Sequence, residues 1–166
     1  VIIKHIANYP VVVNTIGNKH LSGCLQVNRV NRELNTLKWF RQGFEKYNPK
    51  PDVLQNIENE LKNYTIELII DANCKDVQFL IPKLIKTLYL CNIKSYKIHH
   101  VDMKKLPIKM DINQNIIEKV PTVIFSAFAR EQFRITEKTF YCTRIEKEIE
   151  YLLVTMITNV AKKKIV

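Results

Sequence analysis

The chain has 166 residues, 46% apolar and 25% charged, with three glycines and six prolines, a composition that leaves room for one globular core and excludes two cores or low-complexity disorder. No apolar run approaches the roughly 18 residues that cross a bilayer, and residues 1–20 show neither a methionine start nor a signal-peptide layout; the start reads as a processed end, no membrane span is expected, and a cytoplasmic setting is favoured over secretion. The formal charge of +10 attracts polyanions, acidic proteins or anionic lipid without selecting among them, and it is concentrated early: residues 1–50 carry eight Lys/Arg against two acids, residues 51–166 eighteen against fourteen.

Along the chain, residues 1–16 read as two short β-rich runs broken at Pro10. Val27, Val30, Leu34, Leu37, Phe40, Phe44 and Tyr47 then recur every three to four residues, the spacing of one amphipathic helix with Arg29, Arg32, Lys38 and Arg41 mostly off its apolar face. The stiff break at Asn48, Pro49, Lys50 and Pro51 separates an N-terminal extension, residues 1–50, from a domain over 51–166 on which it packs. Val53, Leu54, Ile57 and Leu61 predict a helix, Thr65 to Asp71 a buried strand, and Lys75 to Leu90 a second helix that contains Pro82. Ser95 to Val101 reads as a second strand, Ile112 to Glu118 as a short helix, and Thr122 to Phe128 with Glu131 to Glu137 as a hairpin. Ile145, Ile149, Leu152, Leu153, Met156, Ile157 and Val160 close the chain as a long helix, with Lys162 to Lys164 at its end, where cations suit the dipole. Alternation of strand and helix implies a parallel pair with a right-handed crossover, and the hairpin adds antiparallel strands. The expected fold class is α/β, a mixed central sheet with helices on both faces and an N-terminal helical extension.

Cysteines stand at positions 24, 74, 91 and 142 with no CxxC pair, so neither a zinc ribbon nor a dithiol redox motif is written. Cys74 differs from the others in position. The stretch Asp71 to Val77 lies where the first buried strand gives way to a helix, the edge of an α/β sheet at which reactive groups gather. A cysteine at a helix N-terminus meets unpaired N–H groups and the positive dipole end, which favour the nucleophilic thiolate; Lys75 acts in the same sense and Asp76 against it. Cys24, Cys91 and Cys142 read as small buried hydrophobes, although Cys142 is a conceivable remote partner for Cys74. His99 and His100, adjacent on a strand, point to opposite faces and do not share a metal. No Ser-His-Asp set or paired-carboxylate motif stands out, and three glycines argue against a nucleotide-cradling loop. The Asn63, Tyr64, Thr65 triplet fits a glycosylation sequon but falls at a strand start, where it carries little weight.

The second element of the pattern is Lys119, Val120, Pro121 and Thr122, a proline directly ahead of the hairpin. A strand-to-helix cysteine followed by such a Val-Pro-Thr segment resembles the thioredoxin superfamily, and more closely its bacterial members whose site reads Trp-Cys-Gly-Asp-Ser with a proline eight residues after the cysteine. Cys74, Asp76 and Pro82 match that spacing, while Asn73 replaces the tryptophan, Lys75 the glycine and Val77 the serine. Trp39, Phe40, Tyr47, Pro49, Asp52, Val101, Asp102, Glu131, Arg134, Ile135 and Glu137 extend the likeness over roughly residues 39–160.

The resemblance implies a thioredoxin-like domain over 51–166, a cis Val120–Pro121 bond, Cys74 as the nucleophile, Val120, Pro121 and Thr122 as a substrate-docking edge, and Lys75 and Asp76 as supporting residues. Val77 occupies the position of the resolving cysteine of an ordinary thioredoxin, and Leu68, six residues before Cys74, that of the family's buried carboxylate, so dithiol cycling is not expected. The expectation is a monothiol protein engaged in thiol–disulfide exchange or redox sensing, with no bound cofactor and with a protein or low-molecular-weight thiol or disulfide as partner. The alternative is an inactive scaffold of the same fold that binds a protein, an acidic one given the charge. A nucleic-acid-binding surface built on Trp39, Phe40, Phe44, Lys38 and Arg41 is the least favoured reading.

Overall fold

The computed structural model of the protein describes residues 11–15, 37–93, 96–109, 116–136, 138 and 149–165. The first strand, β1 (Val11–Thr15), belongs to the region read as β-rich; residues 1–10 lie outside the described residues. Helix α1 (Lys38–Lys46) starts where Leu37 is still extended, with φ −77° and ψ 119°. The single helix expected from Val27 to Tyr47 is therefore corrected at Leu37, and residues 27–36 lie outside the described residues. Apolar spacing reports which face is buried, and it runs on unchanged through a non-helical residue. Tyr47 closes α1 in extended geometry just before Asn48 and Pro49.

Helix α2 (Pro51–Leu61) opens with proline in its first turn, where the missing N–H has no intrahelical partner to lose, and buries Val53, Leu54, Ile57 and Leu61. Strand β2 (Thr65–Ile70) is buried from Ile66 onward. Because successive side chains of a strand point to opposite faces, this run shows both faces of the sheet covered at its centre. Helix α3 (Lys75–Leu90) leads from β2 to the parallel strand β3 (Tyr96–His100).

After a 3-10 turn at Met103–Lys105 come two short strands, β4 (Ile108–Lys109) and β5 (Ile116–Ile117), paired antiparallel in a small separate sheet. The helix expected over 112–118 is thus corrected at 116–117, while 112–115 lie outside the described residues. Ile116 is exposed and Ile117 buried, the two-residue alternation of a strand in a segment too short to separate that period from a helical one. The hairpin is present as β6 (Thr122–Ala127) and β7 (Arg130–Thr136), followed by helix α4 (Ile149–Ile165).

The main sheet has the order β1-β3-β2-β6-β7, with β1 and β2 parallel to β3 and β6 antiparallel to both β2 and β7. The molecule is mixed α/β. Helix α1 packs on α3, and α2 packs on α4. Two contacts fix α1 against α3. Gly43 lies so close to Pro82 that a methyl group at Gly43 would sit 2.8 Å from the proline Cβ and 3.0 Å from its Cγ. The buried Lys86 ammonium donates to the Glu45 carbonyl and to Asn48 Oδ1, each at 3.3 Å, beside the Phe44 ring. Within the sheet Glu67 and His99 form a buried pair at 2.9 Å. The hydrogen bond from His99, reinforced by its charge and that of Lys97, outweighs burial and holds the Glu67 carboxyl below its ordinary range.

Candidate functional site

Parallel neighbours β2 and β3 end side by side, and the Val101 N–H donates to the Ile70 carbonyl at 2.9 Å just past them. The chain leaving β2 turns at once. The Asp71 carbonyl accepts the Cys74 N–H at 3.0 Å, and Asp71 Oδ1 accepts the Asn73 N–H at 2.9 Å, an Asx turn of the kind aspartate forms with its own downstream backbone. Cys74 is the N-cap of α3, extended at φ −78° and ψ 126°, and its carbonyl accepts the first helical bond, from the Gln78 N–H at 3.0 Å. The Gln78 side chain reaches back to donate to the Ala72 carbonyl, also at 3.0 Å. Four backbone and side-chain bonds thus define the turn that carries the thiol.

Opposite this turn lies the loop before β6. Register pairs Thr122 with Ile69, which places Val120 and Pro121 beside the end of β2. The Val120–Pro121 bond is cis, and the Thr122 hydroxyl closes the loop by donating to the Lys119 carbonyl at 2.7 Å. The half-buried Cys74 Sγ lies 3.6 Å from the Val120 carbonyl oxygen, within reach of an S–H donor. Cys74, Val120, Pro121 and Thr122, expected as one site, are brought together. Lys75 is exposed and Asp76 half-buried in the first turn of α3.

The surroundings limit what the thiol can do. Position 77, three residues on, is a fully buried valine and supplies no second sulfur to that turn. Cys91 is buried at the far end of α3; sixteen residues at about 1.5 Å each separate the two cysteines by roughly 24 Å, far beyond the reach of a disulfide. Burial, with a smaller contribution from Glu58, pushes the Cys91 thiol up to about 11. Cys24 and Cys142 lie outside the described residues. Leu68 is buried among apolar neighbours, and the adjacent carboxylate, Glu67, is committed to His99. Among the described residues no cluster of His, Cys, Asp and Glu has the spacing of a metal site, and no helix is long and apolar enough to cross a membrane.

Two participants escaped sequence reasoning. Asp71 opens the strand-to-helix stretch read from the sequence but carries no expected role there, although its position two before Asn73 is an Asx-turn signal. Met103 enters because its N–H donates to Asp71 Oδ2 at 3.0 Å, a contact across 32 positions that no local pattern announces. Compared with known families, characterised proteins and solved structures, the chain matches no family model, no curated protein and no solved structure.

Proposed function

We propose that this chain is a thioredoxin-like protein in which Cys74 works as a single thiol, exchanging with protein or low-molecular-weight disulfides or sensing oxidants. The observation that carries the reading is the placement of Cys74 at the N-cap of α3, half-buried, with Sγ against the Val120 carbonyl of the loop ahead of β6. The parallel β2-α3-β3 unit and the trailing antiparallel hairpin support the fold assignment, being the arrangement that the family likeness calls for.

In the exchange step the Cys74 thiolate attacks one sulfur of a substrate disulfide. The substrate S–S bond breaks as the new one forms, and the departing half leaves as a thiolate that takes up the proton released by Cys74. With Val77 where a resolving cysteine would stand, the mixed disulfide persists until a thiol from solution attacks it and restores Cys74. A backbone segment of the substrate would lie along the Val120 to Thr122 edge.

The test is incubation of the folded protein with glutathione disulfide, followed by intact mass and peptide mapping, with Cys74→Ala as control. One glutathione adduct on Cys74, removed by added thiol, is expected, together with negligible dithiothreitol-driven insulin reduction. Absence of the adduct from Cys74 in the folded chain, with adduct formation there after unfolding, makes the protein an inactive scaffold that binds a partner. Vigorous insulin reduction abolished in Cys74→Ala would reveal a resolving thiol elsewhere.

A further inference from the structure

We propose that Asp71 is the positioning residue of the Cys74 site: its carboxylate fastens the turn that carries the thiol to the turn that follows β3, and so holds Sγ at the Val120 carbonyl. This rests on the reading of Cys74 as the working thiol. Asp71 is buried, and three of its oxygens each accept a backbone N–H. The carbonyl takes that of Cys74 at 3.0 Å, Oδ1 that of Asn73 at 2.9 Å, and Oδ2 that of Met103 at 3.0 Å.

An ordinary Asx turn uses one carboxylate oxygen on the local chain. Here the second oxygen reaches a different strand end, so one side chain couples the 71–74 turn to the Met103–Lys105 turn, itself organised by Asp102 Oδ1 accepting the Lys104 N–H at 2.9 Å. Hydrogen bonds to an ionised acceptor are about twice as strong as neutral ones, and a carboxylate accepts at both oxygens. Asparagine has the same shape but one acceptor. In an Asp71→Asn protein either the Asn73 or the Met103 N–H would face an NH2 group, donor against donor. Met103 is the first residue of its 3-10 turn, a position that tolerates proline, so Met103→Pro deletes the same bond from the opposite end by removing its donor.

With that bond gone the cysteine turn loses its tether, Sγ leaves the Val120 carbonyl, and the half-buried sulfur opens to small reagents. The experiment measures iodoacetamide alkylation of Cys74 by peptide mass across neutral and mildly alkaline pH, in the full chain and in the Asp71→Asn, Met103→Pro and doubly substituted proteins. Alkylation of Cys91 serves as the internal report of global opening, and urea midpoints are measured in parallel.

The expected result is a rise in Cys74 alkylation of at least about tenfold in each single variant, the low end of the fold-change that loss of one charge-assisted hydrogen bond carries, with Cys91 still protected and no further rise in the double variant. Cys74 rates in both single variants within about twofold of the parent at every pH, with only the urea midpoints lowered, would make Asp71 purely structural and overturn the proposal. The parent's glutathione adduct separates this from the reading beneath it. An adduct in the parent with unchanged variant rates refutes the role of Asp71 alone; raised variant rates with no adduct in the parent leave the tether standing and remove the exchange function; failure of both sinks both.

Discussion

Gly43→Ala is the sharpest test of how α1 and α3 meet. In the middle of an exposed helix this exchange gains about 1 kcal/mol, because alanine has the better helix propensity. Here the added methyl group would lie 2.8 Å from Pro82 Cβ and 3.0 Å from Pro82 Cγ. Neither atom belongs to a flexible side-chain end: both are part of a ring fixed inside α3 and buried. Overpacking of this kind costs about 1–3 kcal/mol, and two rigid contacts at such distances place it in the upper half of that range. The net expectation is a loss of about 1–2 kcal/mol, read as a lower urea midpoint at unchanged m-value. In a Pro82→Gly background both opposing ring atoms are gone, and the same Gly43→Ala exchange reverses sign, gaining about 1 kcal/mol from propensity alone. Equal effects in the two backgrounds, or no loss in the parent, would refute the close approach. The contact also gives the proline eight residues after the cysteine a physical role: its ring is the surface against which α1 rests without a side chain of its own.

Two further tests concern the sheet. Glu67 is held below its ordinary value of 4.5 by His99, so the stability it contributes is fully present above that pH and is lost as pH falls through the lower folded value; Glu67→Gln should flatten this acid limb in urea midpoints followed against pH, and superimposable limbs would remove the linkage. At neutral pH, His99→Ala leaves the carboxylate buried without its partner and should lower stability by about 3–5 kcal/mol, more than replacing both members by apolar residues. In the β6–β7 turn, Phe128 and Ala129 both adopt positive φ, 53° and 58°, in a two-residue loop of the kind that favours Asn-Gly; Ala129→Gly should raise stability by about 0.5–1 kcal/mol in the same urea titrations, and a loss would contradict the left-handed geometry.

The legible parts of this fold are those in which local pattern and burial coincide. Leu54, Ile57 and Leu61 mark one face of α2, and the run from Ile66 to Ile70, apolar except for Glu67, marks a strand covered on both sides. The bounds of α3 follow from the step between Asp71 and Lys75, where a buried strand gives way to a helical period. The two misread segments fail for related reasons. Leu37 carries a side chain of the right type at the right spacing, yet its backbone is extended. Ile116 and Ile117 are too few to display a period, and what makes them a strand is pairing with Ile108 and Lys109. At the site, Cys74 and the Val120 to Thr122 segment are visible because position and residue type both mark them. The Asp71–Met103 tether and the Glu67–His99 pair join different strands, and only the folded chain brings their partners together.

The register of β1 bears on the order in which the sheet assembles. Val11 pairs with Tyr96 and Thr15 with His100, so every contact of this edge strand with β3 joins residues 85 positions apart (96 − 11). The hairpin β6–β7 closes over two residues, and β2 reaches β3 across a single helix. Loop-closure entropy rises with the chain enclosed, so β1 is the strand whose docking is hardest to nucleate and gains most from a preformed neighbour. Until it docks, the outer edge of β3 is a bare row of backbone donors and acceptors, the surface on which another extended chain can pair in its place.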